Sequence, residues 1–221
     1  MPRETKSALK ARALTILERL EAAYPEATTA LNWTTPWELL AATILSAQCT
    51  DDKVNEVTAD LFRAYPTPTH YAEADLEALE QLVRPTGFYR NKAKSLVGAA
   101  RAILENYGGE VPASMDQMLT LPGVARKTAN VVLSHALRPD SPEGIAVDRH
   151  VARVTARLGL VPASANTPEK IEQVLMALIP RDHWTHFGDA VIWHGRRVCE
   201  ARKPACDTCT LREVCPRKGL D

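Results

Sequence analysis

The chain has 221 residues, 45% of them apolar, and its 27 basic and 27 acidic side chains cancel to zero net charge. That length can bury a substantial core as one large or two small domains, while the charge balance makes the molecule as a whole a poor polyanion binder. No run of eighteen apolar residues occurs, which excludes a membrane-spanning helix, and the charged start MPRETKSALKAR lacks the apolar stretch of a secretory signal, so a cytoplasmic location is expected.

Charge is unevenly spread along the chain. Residues 1–120 carry 12 Lys/Arg against 16 Asp/Glu, and residues 121–221 carry 15 against 11. A basic excess that starts at residue 121 permits one positive face on a neutral molecule.

Taken in order, Leu9, Ala13, Ile16, Leu17 and Leu20 predict a first helix ending near Tyr24-Pro25. Thr35-Pro36-Trp37-Glu38 is a capping box with proline at the first helical position, so a second helix begins at Pro36. It runs through WELLAATILSAQ, apolar nearly all round, and is expected to be deeply buried. Asp51 or Asp52 is the expected cap of the next helix, to Ala64. Pro66 and Pro68 mark a loop, Leu76 to Val83 a further helix, and Asn91 to Tyr107 another, stopped by Gly108-Gly109. Beyond Pro139 the periodicity predicts helices at 149–158, 168–179 and about 183–198. Period-two alternation is nowhere sustained, so the fold class is all-α.

Between Met115–Leu119 and a helix carrying Ala129, Val132, Leu133 and Ala136 stands Leu121-Pro122-Gly123-Val124-Ala125-Arg126-Lys127. Pro122 breaks the helix and Gly123 can take a positive φ, giving helix, tight hairpin, helix. The hairpin ends where unpaired backbone amides make a natural phosphate site. Lys127 falls in the first turn of the second helix, where a positive charge opposes the macrodipole and stability alone would favour Asp or Glu. A lysine placed there is a candidate nucleophile. Farther on, Ile145-Ala146-Val147 delivers one carboxylate, Asp148, which also reads as the N-cap of the following helix. Both roles are compatible, because a cap is a rigidly held carboxylate.

Cys199, Cys206, Cys209 and Cys215 follow the spacing C-x6-C-x2-C-x5-C. Four thiols so close together in a cytosolic chain read as metal ligands. Zinc remains open on spacing alone, although structural zinc sites favour two close pairs and this pattern has one. Two wider loops suit an iron–sulfur cluster. Arg202 and Lys203 lie in the loop between the first two cysteines, as phosphate contacts or as solvated surface charge. Cys49 stands apart and reads as a small packing residue.

LPGVARKTANVVLS followed by IAVDRHVARV, together with ILSAQCTDD, PTGFYRNKAKSL, LENYGGEVP and the cysteine group, resembles the endonuclease III family of DNA glycosylases, over most of the chain and in the family's order. The resemblance implies two lobes with an active-site cleft between them. One, residues 29–139, is a six-helix barrel with the helix-hairpin-helix; the other, residues 1–28 and 140–221, holds a 4Fe-4S cluster on the four cysteines. It implies catalysis by Lys127 and Asp148 and removal of oxidised pyrimidines with β-elimination at the abasic site. The expected partner is double-stranded DNA with damaged bases or abasic sites, met by a monomer with no membrane attachment. DNA contacts are implied for Gln48, which fills the space left by the extruded base, for Thr86, the wedge in the opposite strand, and for the hairpin residues Leu121, Gly123, Val124 and Ala125; Arg202 and Lys203 join them as the phosphate contacts read from their loop.

Three departures accompany the resemblance. Relatives place an apolar side chain where this chain has Thr86; Ala125 stands at the second glycine of the usual Gly-Val-Gly; and the connection RPDSPEG is longer than usual. Mismatch glycosylases that share the hairpin lack the lysine. A non-catalytic DNA-binding protein, the alternative from a different class, has no need of Lys127 together with Asp148.

Overall fold

A computed structural model describes residues 4–220, and no strand occurs among them. The chain divides into two compact units, Met1–Thr29 with Asp140–Asp221, and Ala30–Pro139.

The first unit is built on α1 (Lys6–Ala23), α9 (Arg149–Arg157), α10 (Pro168–Leu178) and α11 (Trp184–Arg197). Ala13, Ile16, Leu17 and Leu20 recur on one face of α1 and are buried with Val154, Leu175, Phe187 and Val191. The apolar stripe read from the sequence is therefore the core face, and its burial joins the two ends of the chain. Arg12 reinforces the junction by donating to the carbonyls of Leu158 (2.6 Å) and Val214 (3.3 Å), and Arg19 donates to Thr210 (3.1 Å).

In the second unit, α2 (Pro36–Leu45) is central: Trp37 and every residue from Leu39 to Leu45 are buried. Thr35 Oγ1 accepts from the Glu38 amide (3.2 Å), while the Glu38 carboxylate reaches back to the Thr34 amide (2.6 Å), one residue earlier than in a standard capping box. Around α2 stand α3 (Asp51–Ala64), α4 (Pro68–Ala72), α5 (Leu76–Val83), α6 (Tyr89–Tyr107), α7 (Met115–Met118) and α8 (Arg126–Val132), the last continuing as a π-helical turn, Leu133–Leu137.

Local details differ from the sequence reading. Thr50 caps α3, and Asp51 and Asp52 lie inside its first turn, where carboxylates favour the helix dipole. The stretch expected as a Pro66/Pro68 loop contains α4, started by Pro68 at its first position. α2 ends at Leu45 rather than running to Gln48, because Gln48 adopts a left-handed conformation (φ 55°).

Candidate active site and cysteine cavity

The hairpin between α7 and α8 is fixed by packing on both sides of its turn. Leu121 and Val124 are buried in the core of the second unit, and the Val124 amide donates to the Leu121 carbonyl (3.1 Å). Leu121 and Val124, both expected to contact DNA, turn their side chains into the core. Their side chains anchor the hairpin from beneath and their amides are engaged within the protein, Leu121 donating to Met118 (3.2 Å). Gly123 turns the chain at φ 77°. Ala125 is the N-cap of α8 with extended backbone (φ −95°, ψ 168°), so alanine costs nothing conformationally at the position where the resemblance leads one to expect a second glycine. It offers no side chain to the helix start. Among the described residues neither the Gly123 nor the Ala125 amide has a protein acceptor. Lys127, in the first turn of α8, is exposed.

Asp148 belongs to the other unit, at the start of α9. Its Oδ1 accepts from the amides of His150 (2.7 Å) and Val151 (2.8 Å), so the carboxylate is half-buried and held as a helix cap. Next to it, the His150 ring is in a structural setting: Nδ1 lies 3.1 Å from the Arg153 guanidinium, whose same nitrogen donates to Gly195 (2.9 Å) and Cys199 (3.1 Å) carbonyls. Burial pushes His150 below its ordinary range.

Two exposed residues of the second unit share an uncommon backbone. Gln48 follows α2 and Phe88 precedes α6; both are left-handed, at φ 55° and 47°, and Phe88 is 64% exposed. An aromatic side chain both solvent-facing and in a left-handed backbone is uncommon twice over, and such outliers concentrate at functional loops. Thr86, by contrast, is 2% exposed and its hydroxyl donates to the Val83 carbonyl (2.8 Å). The expected wedge at Thr86 is therefore corrected: that residue closes a 3-10 turn (Arg84–Thr86) inward, and the outward apolar group of the loop is Phe88. Its signal in the sequence is an unshielded aromatic directly after Gly87 and before an amphipathic helix.

In the first unit, Cys199, Cys206, Cys209 and Cys215 are free, half-buried and line one cavity. Among the described residues no group of three or more His, Cys, Asp or Glu is arranged to hold a single metal ion. Three of the sulfurs face N–H donors: Arg157 Nη1 to Cys199, Leu211 N to Cys209 and Arg217 N to Cys215, each 3.4 Å. Arg217 reaches its position through a left-handed backbone (φ 54°). Burial pushes the Cys209 and Cys215 thiols above their usual range, and the Leu211 and Arg217 amides pull the other way. Donors aimed at sulfur suit thiolates, and a bound metal deprotonates such thiols. The donor set thus fits a thiolate-held metal group. Sequence reasoning missed Arg157, which braces the loop carrying Arg202 and Lys203 by donating to the carbonyls of Glu200 (2.7 Å) and Ala201 (2.8 Å). Both loop cations are exposed.

An all-α chain with this hairpin, with Lys127 beyond it and a capping aspartate farther on, has the parts of a helix-hairpin-helix repair protein. Residues 41–181 match the family model described as HhH-GPD superfamily base excision DNA repair protein. The chain is 52% identical to an endonuclease III of Synechocystis sp. over 94% of its length and 93% of the relative's, and 39% identical to endonuclease III of Escherichia coli over 95% and 97%. A solved structure of a trapped endonuclease III–DNA covalent intermediate superposes with a TM-score of 0.88 at 41% identity, covering 94% of this chain and 96% of that one. The chain belongs to the endonuclease III family of the HhH-GPD superfamily, and it is a base excision repair enzyme, a DNA N-glycosylase with lyase activity at abasic sites.

Proposed function

We propose that the enzyme removes oxidised pyrimidines from duplex DNA through a Schiff base on Lys127 and then cleaves the strand on the 3′ side by β-elimination. The observation that carries this reading is the exposed lysine in the first turn of α8, beside the unpartnered hairpin amides of Gly123 and Ala125. Phosphate binding alone does not require a lysine in a helix turn that disfavours it.

A base in the duplex is reached by extruding its nucleotide, at a cost of a few kcal/mol in lost stacking. Gln48 and Phe88 compensate by occupying the disturbed stack, Phe88 as the apolar wedge. The hairpin amides of Gly123 and Ala125 and the exposed Arg202 and Lys203 hold phosphates. Nζ of Lys127, as the neutral amine, bonds to C1′ while the glycosidic bond breaks, and the base leaves with the bonding electrons and takes up a proton. Asp148 accepts the proton shed by the lysine nitrogen or faces the positive charge that develops on the sugar. The ring opens to the Schiff base. Loss of a C2′ proton then expels the 3′ phosphate, and water releases Lys127.

Cys199, Cys206, Cys209 and Cys215 hold a 4Fe-4S cluster, a group with several corners that suits sulfurs set around a cavity. When bound it pins the Arg202–Lys203 loop and contributes to folding of the C-terminal turns. The enzyme acts as a monomer on the nucleoid; no described helix is long and apolar enough to cross a membrane. Borohydride trapping on duplexes with an abasic site, thymine glycol or a normal pair tests the reading. Covalent complexes with the first two and none with the third are expected. Thymine glycol left untrapped and unexcised would overturn the assignment to oxidised pyrimidines.

A further inference from the structure

Lys92 is a charged side chain buried to 5% exposure in the second unit, in the first turn of α6. Its ammonium donates to the Leu45 carbonyl and to the Thr86 carbonyl, both at 2.7 Å. These are the last residues of α2 and of the 3-10 turn, where helical carbonyls lose their internal partners. The segment immediately after Leu45 carries Gln48, and the segment immediately after Thr86 carries Phe88. Leu45 would find a helical donor in the Cys49 amide, but the left-handed turn at Gln48 sends that amide to Ser46 (3.1 Å). The Lys92 backbone amide also donates to the Phe88 carbonyl (3.1 Å). One residue therefore grips the Phe88 loop at both ends and the Gln48 loop at its root.

We infer that Lys92 is a positioning residue that locks the Gln48 and Phe88 loops into one rigid unit, so that both side chains enter the DNA stack together. This rests on the assignment of Gln48 and Phe88 to stack insertion. A lysine is suited to the task because its ammonium has three donors and no acceptor, and can serve carbonyls from two directions. An apolar residue would fill the same space and leave both carbonyls without a donor. Retaining a cation there despite the desolvation it suffers is consistent with a geometric rather than a purely packing role. Rigid placement matters here because binding that must first order two loops loses affinity to that ordering.

The test compares the full-length wild type with Lys92→Met on an uncleavable abasic-analogue duplex carrying 2-aminopurine opposite the lesion. Wild type should bind it more tightly than undamaged duplex and raise the fluorescence as the opposite base unstacks. Lys92→Met should lose roughly tenfold or more of that discrimination, and the fluorescence rise, while affinity for undamaged duplex stays within about twofold; a tenfold change corresponds to about 1.4 kcal/mol. Retained discrimination and fluorescence in a folded variant would overturn the inference. Hydrogen exchange on the wild type needs no variant: amides of residues 47–49 and 87–89 should open together, with one free energy and one denaturant dependence. Separate openings would also overturn it. A wild type that fails to discriminate the lesion duplex would instead sink the assignment of Gln48 and Phe88 to stack insertion, and the exchange result would still report whether the loops are coupled.

Discussion

A Cβ added to Gly123 would lie 2.4 Å from the Cβ of Ser95, which projects from α6 under the hairpin. Gly123 also sits at φ 77°, so two independent constraints select glycine. Gly123→Ala should therefore cost roughly 1–2 kcal/mol for the left-handed backbone and a further 1–3 kcal/mol or so for the overlap with Ser95. Denaturant unfolding of Gly123→Ala, Ser95→Gly and the pair separates the terms. The double variant should recover only the overlap component, making the cycle non-additive. Strict additivity would mean the backbone alone demands glycine.

Phe88 and Thr86, two residues apart, should respond in opposite ways. Phe88→Ala leaves the core untouched and should weaken binding to an abasic-site duplex by about 1–3 kcal/mol, the worth of an aromatic stacked on a base. Phe88→Gly should do the same while raising folding stability by up to about 1 kcal/mol, because the left-handed strain is relieved. Thr86→Val loses the buried bond to Val83 and should cost about 1 kcal/mol of stability with lesion binding preserved. Lesion binding lost in Thr86→Val and kept in Phe88→Ala would return the wedge to Thr86.

The contrast between those residues marks where sequence reading stopped. Helices were legible because Ala13, Ile16, Leu17 and Leu20, or Val54, Val57 and Leu61, repeat with the helical period that burial requires. Lys127, Asp148 and the cysteines stand out in the sequence by residue type and spacing, and the structure adds that Asp148 caps α9 and that the four cysteines line one cavity. The burial of Thr86 is not legible in the sequence, because nothing in Pro85-Thr86-Gly87-Phe88 states which side chain turns inward. That depends on the 3-10 turn drawing Thr86 onto Val83. Leu121 and Val124 read as part of a DNA-facing motif, yet apolar side chains in a hairpin serve first to anchor it. The buried position of Lys92 has no signal in the sequence, because one of its acceptors, Leu45, is 47 residues away in the chain.

The cysteine cavity should yield a brown protein with broad visible absorption from thiolate-to-iron charge transfer. Metal analysis should find iron and acid-labile sulfide. Stoichiometric zinc without iron would refute the cluster. If the four cysteines hold a cluster, Cys206→Ser should lower the melting temperature and shorten survival against proteolysis at the C-terminal turns, because metal binding would then be part of folding.

Arg202→Ala and Lys203→Ala should each weaken binding to damaged and undamaged duplex alike. A phosphate contact carries no information about the base, and losing one should make the salt dependence shallower by about one counterion. Because Arg157 holds the loop through the Glu200 and Ala201 carbonyls, Arg157→Met should reproduce both losses together. An unchanged salt slope in the two alanine variants would mark these cations as solvated surface.

Lys127 and Asp148 can be separated by comparing base removal with strand cleavage. Lys127→Ala removes the nucleophile, so borohydride should trap no covalent complex and strand cleavage should vanish. Binding should survive, because the hairpin amides are unaltered and one exposed cation is lost. Asp148→Asn keeps the side-chain shape, and its amide oxygen can still accept from His150 and Val151, so folding should be largely preserved. The negative charge is gone, however, and base excision should slow by roughly 10²–10⁴, the usual range for a positioned acid–base group. An abasic site has already lost its base and needs no leaving-group departure, so its cleavage should suffer less. The ratio of glycosylase to lyase rates in Asp148→Asn therefore decides the role. Equal loss of both would mean Asp148 acts chiefly on the lysine, and no loss of either would leave it a helix cap alone.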